Sequence, residues 1–158
     1  MFEQTGSSAP ASFAEQLVTV DLPQLEDQVA LRFERVVRAV IRRELGECPA
    51  AQAALESCSL VKNGVTMVLR LDRESDAMSV FADLGAPPDC LDHAGALGKL
   101  LEMNLHNTHP GVLFGRNRDS GRLVAFMRCH MFALDDEGEV CIGCLELLSR
   151  TVQAVRTW

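Results

Sequence analysis

The sequence predicts an α+β fold: one domain with the order α-β-β-β-α-β-β-α, in which helices pack an antiparallel sheet. Three observations predict it. The 158 residues suffice for a single domain with its own apolar core. Apolar residues recur at three- and four-residue steps in three segments and at alternate positions between them. The connections between successive strands are short and polar, which is typical of antiparallel neighbours.

The N-terminal residues predict a flexible tail over 1–22, ahead of a domain over 23–158. Loop-forming residues dominate the tail, although Ser12 to Glu15 fits a capping box that could nucleate one or two helical turns. Pro23 is expected to stop such a helix.

The first long helix is predicted from Leu25 onward. Its apolar stripe has helical spacing and contains Leu25, Val29, Phe33, Val36 and Val40. Gly46 is a natural residue to end this helix, and Pro49 follows shortly after it. Residues 49–56 are rich in Ala and are expected to form a short helix or an ordered connection.

Three strands and a second helix follow. Ser59–Lys62 and Val65–Leu71 flank Asn63-Gly64, the strongest short hairpin signal. A third strand is predicted over Ala77–Leu84, and a helix over Asp89–Asn104.

The last third of the chain predicts a second hairpin and a closing helix. The hairpin strands are Val112–Arg116 and Arg122–Met131, and the helix runs over Val140–Trp158. The chain shows no repeat with a period of 20 to 50 residues, which argues against a solenoid.

Charge and composition exclude several functions. The net charge is −7 and the sequence contains 7 Phe, 1 Trp and no Tyr, a composition that opposes binding to nucleic acid. No apolar stretch reaches the length of a membrane span, and the N-terminus does not resemble a secretory signal. The chain is therefore expected to act in the cytosol, with its 6 cysteines reduced.

Cys141 and Cys144 form the sharpest local motif and support an alternative function, a small zinc-binding or thiol-redox module. The neighbouring carboxylates disfavour the thiolate that a redox pair needs. A zinc site would require two more ligands, and the candidates are Cys90, His93, His106, His109, Cys129 and His130. Cys129 and His130 are adjacent on a strand and would point to opposite faces.

The sequence predicts no enzyme, no cofactor and no metal. Patterns such as Gly-x-Ser-x-Gly, His-Glu-x-x-His and the P-loop do not occur. Apolar residues instead lie on both faces of the predicted sheet, and three helices cannot cover both faces of five strands. The excess predicts a partner, either a second subunit or another chain.

The order of elements in a small acidic chain resembles the class I type III secretion chaperones, the Tir-chaperone family. The resemblance is most specific over residues 91–134, where Leu100-Leu101-Glu102-Met103-Asn104-Leu105 is similar to a family segment of the form Leu-Leu-Glu-x-Asn-Leu. A glycine-containing loop, a strand and a turn at Ser120-Gly121 follow in the same order. The longer tail and residues 47–57, which look like an insertion, depart from the family.

The resemblance implies a homodimer in the bacterial cytoplasm that binds the N-terminal segment of a secreted effector and keeps it secretion-competent. It also implies two sets of contact residues. The effector would contact Val29, Phe33, Val36, Leu60, Val65, Met67, Leu69 and Phe81. The dimer interface would contain Leu97, Leu100, Leu101, Met103 and Phe126. A further interpretation is a regulator of secretion that uses the same fold to bind a transcription factor or the secretion ATPase.

Overall fold

The predicted helices and strands are arranged around one antiparallel sheet. The computed structural model describes residues 22–85 and 92–157. The helices are α1 (Leu22–Leu45), α2 (Pro49–Ser57), α3 (His93–Leu105) and α4 (Glu139–Val155). The strands are β1 (Ser59–Lys62), β2 (Val65–Asp72), β3 (Ala77–Gly85), β4 (Leu113–Arg116) and β5 (Leu123–His130). The predicted α+β fold is confirmed. Residues 1–21 of the predicted tail, its capping box and Cys90 lie outside the described residues, and residue 22 already belongs to α1.

The helix boundaries differ from the predictions at several places. α3 begins at His93, after its N-cap Asp92, rather than at Asp89, and residues 89–91 of the predicted helix lie outside the described residues. α1 begins at Leu22 rather than Leu25, with Pro23 in its first turn, where a missing N–H breaks no helical hydrogen bond. Of the two expectations for residues 49–56, the short helix is the one that forms: α2 has Pro49 in its first turn and extends to Ser57. α4 ends at Val155 instead of Trp158.

Two turns form as their residue types predict. Gly46 follows α1 with a φ of +72°, the left-handed conformation that glycine adopts readily after a helix. Asn63 and Gly64 both have positive φ, at 51° and 74°, as a two-residue hairpin of the I′ type requires.

The strand order in the sheet is β1-β2-β3-β5-β4, and all pairs are antiparallel. The second hairpin therefore joins the sheet through its later strand, which places β4 at one edge. α4 contacts β1, β2, β3 and β5, while α1 contacts β2, α2 and α4. These two long helices cover one face of the sheet, called here the inner face.

The core lies between the inner face and the two long helices. Alternate residues of β2 point into it, namely Val65, Met67 and Leu69, and all three are buried. α1 contributes Val36, Val40 and Ile41, which have no exposed surface. Leu145, Leu148 and Val152 of α4 are buried just as completely. No helix in residues 22–85 and 92–157 has the length and apolar character needed to cross a membrane.

Candidate partner-binding surfaces

α3 runs along the β4 edge of the sheet, and one residue attaches it there. The side chain of Asn104 accepts a hydrogen bond from the Phe114 N–H at 2.8 Å and donates one to the Phe114 carbonyl at 2.7 Å. Asn104 thus satisfies the backbone groups that an edge strand leaves unpaired. The Asn of the Leu-Leu-Glu-x-Asn-Leu segment has a structural role: it fixes α3 to the sheet.

The outward side of α3 is apolar and exposed. Leu97, Leu101 and Leu105 are spaced by four residues and share one side of the helix; Leu101 is 53% exposed and Leu105 80% exposed. Leu97 is half-buried, and Gly98 has open space where a side chain would stand. Few isolated chains place leucines in series on one exposed helix face, so this face is a candidate interface.

The outer face of the sheet has an apolar row that crosses four strands. Cross-strand pairing places Val68 beside Phe81, Phe81 beside Phe126, and Phe126 beside Leu113. The rings of Phe81 and Phe126 stack with centroids 5.6 Å apart. We call these four residues the outer row. It ends at β4, next to α3, so the sheet face and the helix face adjoin.

A groove of about 280 Å³ opens beside the outer row. It is lined by Thr66, Val68, Arg70, Phe81, Ala82, Asp83, Asn117, Ser120, Arg122 and Val124. Arg122 forms an ion pair with Asp83 in this groove. Although burial alone raises the pKa of Asp83, the hydrogen bond and charge of Arg122 lower it below its usual value.

A second groove of about 410 Å³ lies where α1, α2 and the end of β2 meet. Its apolar lining is Ala30, Phe33, Val37, Leu55, Cys58 and Leu71, with Glu34, Arg38 and Arg73 around it. The predicted insertion, α2, supplies Leu55 to this groove. Elsewhere on the surface, Leu31 of α1 and Phe132 of the 3₁₀ turn at Met131–Ala133 are exposed.

The structure separates the predicted effector contacts into two groups. Phe33 and Phe81 are half-buried and line the two grooves. The other six are buried in the core of this chain: Val29, Val36, Leu60, Val65, Met67 and Leu69. Their role in partner contact stays a prediction, because side chains at 0–4% exposure offer almost no surface to a partner while the chain remains folded.

The predicted dimer contacts divide in a similar way. Leu101 is exposed, Leu97, Met103 and Phe126 are half-buried, and Leu100 is fully buried beneath α3. Sequence reasoning missed Leu105 of α3 and Leu113 of β4, which are both exposed. Leu105 could have been found, because it continues the four-residue spacing from Leu97 and Leu101.

The cysteine motif is arranged differently from a redox or zinc centre built on Cys141 and Cys144. Cys141 is buried, and burial raises the pKa of its thiol to about 12, the opposite of activation. Cys144 contacts Cys129 of β5, with the two sulfurs 3.4 Å apart. Within the described residues, no three His, Cys, Asp or Glu side chains are grouped to hold a metal ion.

Comparison with known families identifies the fold. The sequence profile of the Tir chaperone protein (CesT) family matches residues 40–157, which is more than half of the chain. The chain belongs to the Tir chaperone family. The resemblance stated from the sequence is thereby confirmed, including over the α3–β4–β5 region that carries it. A comparison with curated proteins gives no match.

Two solved structures share the fold of this Tir chaperone family member at low sequence identity. The HopA1–SchA chaperone–effector complex contains a chain with a TM-score of 0.56 and 15% identity, covering 88% of this chain and 99% of that one. A chain of the ExsC–ExsE complex has a TM-score of 0.53 and 21% identity, covering 63% of this chain and 72% of that one.

Proposed function

We propose that this chain is a cytoplasmic chaperone that binds the N-terminal segment of a type III secreted effector and keeps it soluble and ready for secretion. The observation that carries the proposal is the match of residues 40–157 to a chaperone family. The proposed activity is binding, which requires apolar surface and hydrogen-bonding groups and does not require a catalytic group.

The two grooves support binding of an extended polypeptide. One lies between α1 and α2 and contains Phe33, and the other lies on the outer sheet face and contains Phe81. An extended peptide places alternate side chains into apolar pockets of this kind. Because an unfolded client loses conformational entropy on binding, several separate apolar contacts are needed to hold it.

A homodimer is the second part of the proposal. α3, on which Leu101 and Leu105 are exposed, packs against β4, whose exposed Leu113 ends the outer row. A two-fold axis beside α3 would place these leucines against the same leucines of a second copy, as an isologous interface requires. Burial of this surface would also explain why a chain with net charge −7 keeps exposed leucines in series.

Co-expression with the N-terminal segments of candidate secreted clients tests the proposal. We expect one client segment to co-purify with the chaperone through size-exclusion chromatography. Phe33→Asp should weaken that complex at least about tenfold, which corresponds to about 1.4 kcal/mol, since it places a charge in the α1–α2 groove. Val140→Asp is the matched control, because Val140 is exposed outside both grooves.

Two results would contradict the proposal. One is failure of every N-terminal client segment to co-purify with the wild-type chain while the chain itself is folded. The other is equal loss of binding in Phe33→Asp and Val140→Asp, which would place the contact outside the α1–α2 groove.

A further inference from the structure

Two cysteines from different elements meet at the inner face of the sheet. Cys129 lies near the end of β5, and Cys144 lies in the second turn of α4. Their Sγ atoms are 3.4 Å apart and share a hydrogen bond. The chain between them contains the 3₁₀ turn, the Asp135–Gly138 turn and the first turn of α4, so only the tertiary fold brings the two thiols together.

We propose that Cys129 and Cys144 form an oxidation site, at which a peroxide converts the two thiols into a reversible intrachain disulfide. A disulfide requires an S–S distance near 2.05 Å, so the 3.4 Å contact between the two sulfurs must shorten by little more than one ångström. Both residues are half-buried rather than enclosed, so a small oxidant can reach the sulfurs. This proposal is independent of effector binding.

The two thiols have different roles in the reaction. The hydrogen bond from Cys144 lowers the pKa of Cys129 to about 7, and the same bond raises the pKa of Cys144. The sulfur of the pair that is the thiolate attacks the peroxide, giving a sulfenic acid and releasing water. The second thiol then attacks the sulfenic sulfur and releases a second water. The two thiols lose two hydrogens and two electrons, and the peroxide accepts them.

The other cysteines in the described part of the chain lack this combination. Cys141 is one turn before Cys144 but is buried, and its pKa is raised to about 12, so little thiolate forms there. Cys48 is exposed and Cys58 is half-buried, and their thiols donate to the backbone carbonyls of Leu45 and Leu55 rather than to a second thiol. The Cys-x-x-Cys spacing therefore does not define the site, because it pairs Cys144 with Cys141, whereas the thiol in contact with Cys144 is that of Cys129.

Peptide mapping of the full chain tests the proposal directly. The reduced protein is treated with hydrogen peroxide, its remaining thiols are alkylated after unfolding, and it is cut with a glutamate-specific protease. Cleavage at Glu137 and Glu139 separates Cys129 from Cys141 and Cys144, whereas trypsin would leave all three on one peptide. We expect a cross-linked peptide pair that contains Cys129 and Cys144, with Cys141 alkylated, and a thiol reductant should dissolve the link.

Single variants complete the test. Cys144→Ser should abolish the intrachain link and leave Cys129 to advance to the sulfinic acid, while Cys48→Ser should leave the link intact. The proposal is overturned if the mapped link joins Cys141 instead of Cys144. It is equally overturned if Cys129 and Cys144 are both recovered as alkylated thiols after Cys48 has been oxidised.

Discussion

The side-chain amide of Asn104 binds both backbone polar groups of Phe114. It accepts a hydrogen bond from the Phe114 N–H at 2.8 Å and donates one to the Phe114 carbonyl at 2.7 Å. The side chain behaves as a substitute for one residue of a neighbouring strand. It closes the β4 edge of the sheet and, in the same contact, sets the position of α3. The position of α3 and its exposed leucines relative to β4 therefore depends on Asn104.

Replacement of Asn104 by Ala should destabilise the fold by about 1–3 kcal/mol, because two polar groups of Phe114 lose their partner in a half-buried position. Urea unfolding followed by circular dichroism measures the change. Glu102→Ala is the control, since Glu102 is exposed on the same helix. Equal stability of the Asn104 variant and the control would show that the two hydrogen bonds between Asn104 and Phe114 contribute nothing to stability.

Gly138 lies where α4 approaches α1. Its φ is +80°, and a Cβ atom built there would stand 2.7 Å from a methyl carbon of Val40. Gly138→Ala should therefore cost more than a backbone penalty alone, about 2–4 kcal/mol in the free energy of unfolding. Gly46→Ala isolates the backbone penalty, because Gly46 also has positive φ but open space around it, and it should cost about 1–2 kcal/mol. If the two variants unfold at the same urea concentration, Val40 makes room for the added methyl group and the expected steric clash is contradicted.

Leu101→Asp and Leu105→Asp should each convert the proposed dimer into a folded monomer, since burial of a carboxylate in an apolar interface is unfavourable. Sedimentation velocity should give roughly twice 17.3 kDa for the wild type and a single chain mass for the variants. Leu147→Asp is the control, because it changes an exposed leucine that lies on α4 rather than on α3, and this variant should stay dimeric. A wild-type chain that sediments as a monomer at micromolar concentration would refute the dimer.

The Asp83–Arg122 ion pair should make a small, pH-dependent contribution to stability. Because the folded state lowers the pKa of Asp83, the unfolded chain takes up the proton first as the pH falls. The contribution is thus fully present above the ordinary Asp pKa of about 3.9 and is lost as the pH falls through the lower folded value. Both side chains are partly exposed, so Asp83→Asn should cost less than about 1 kcal/mol at neutral pH.

Unfolding of the wild type and Asp83→Asn at pH 7 and near pH 3 measures this contribution, with the exposed Asp119→Asn as control. The difference between wild type and Asp83→Asn should shrink in acid. A difference that grows in acid would contradict the lowered pKa.

The sequence contained enough information to predict which side of β2 faces the core. Thr66, Val68 and Arg70 are alternate residues of β2 and therefore share one side of the strand. Because Arg70 is charged, this side is the one expected to face solvent. Met67 and Leu69 must then face the core, which is where the structure places them. The effector contacts inferred from the family resemblance included both residues, because the resemblance locates an element but does not say which of its faces is free.

The sequence by itself determined the elements and their order. Local backbone preference ended α1 at Gly46 and closed the hairpin at Asn63-Gly64, and apolar periodicity located the long helices, since these effects act within a few residues along the chain. Only the tertiary structure decided that β5 joins β3, that Phe81 stacks on Phe126, and that Cys144 meets Cys129. Contacts between distant residues depend on how helices and sheet pack in three dimensions, and no local pattern records that packing.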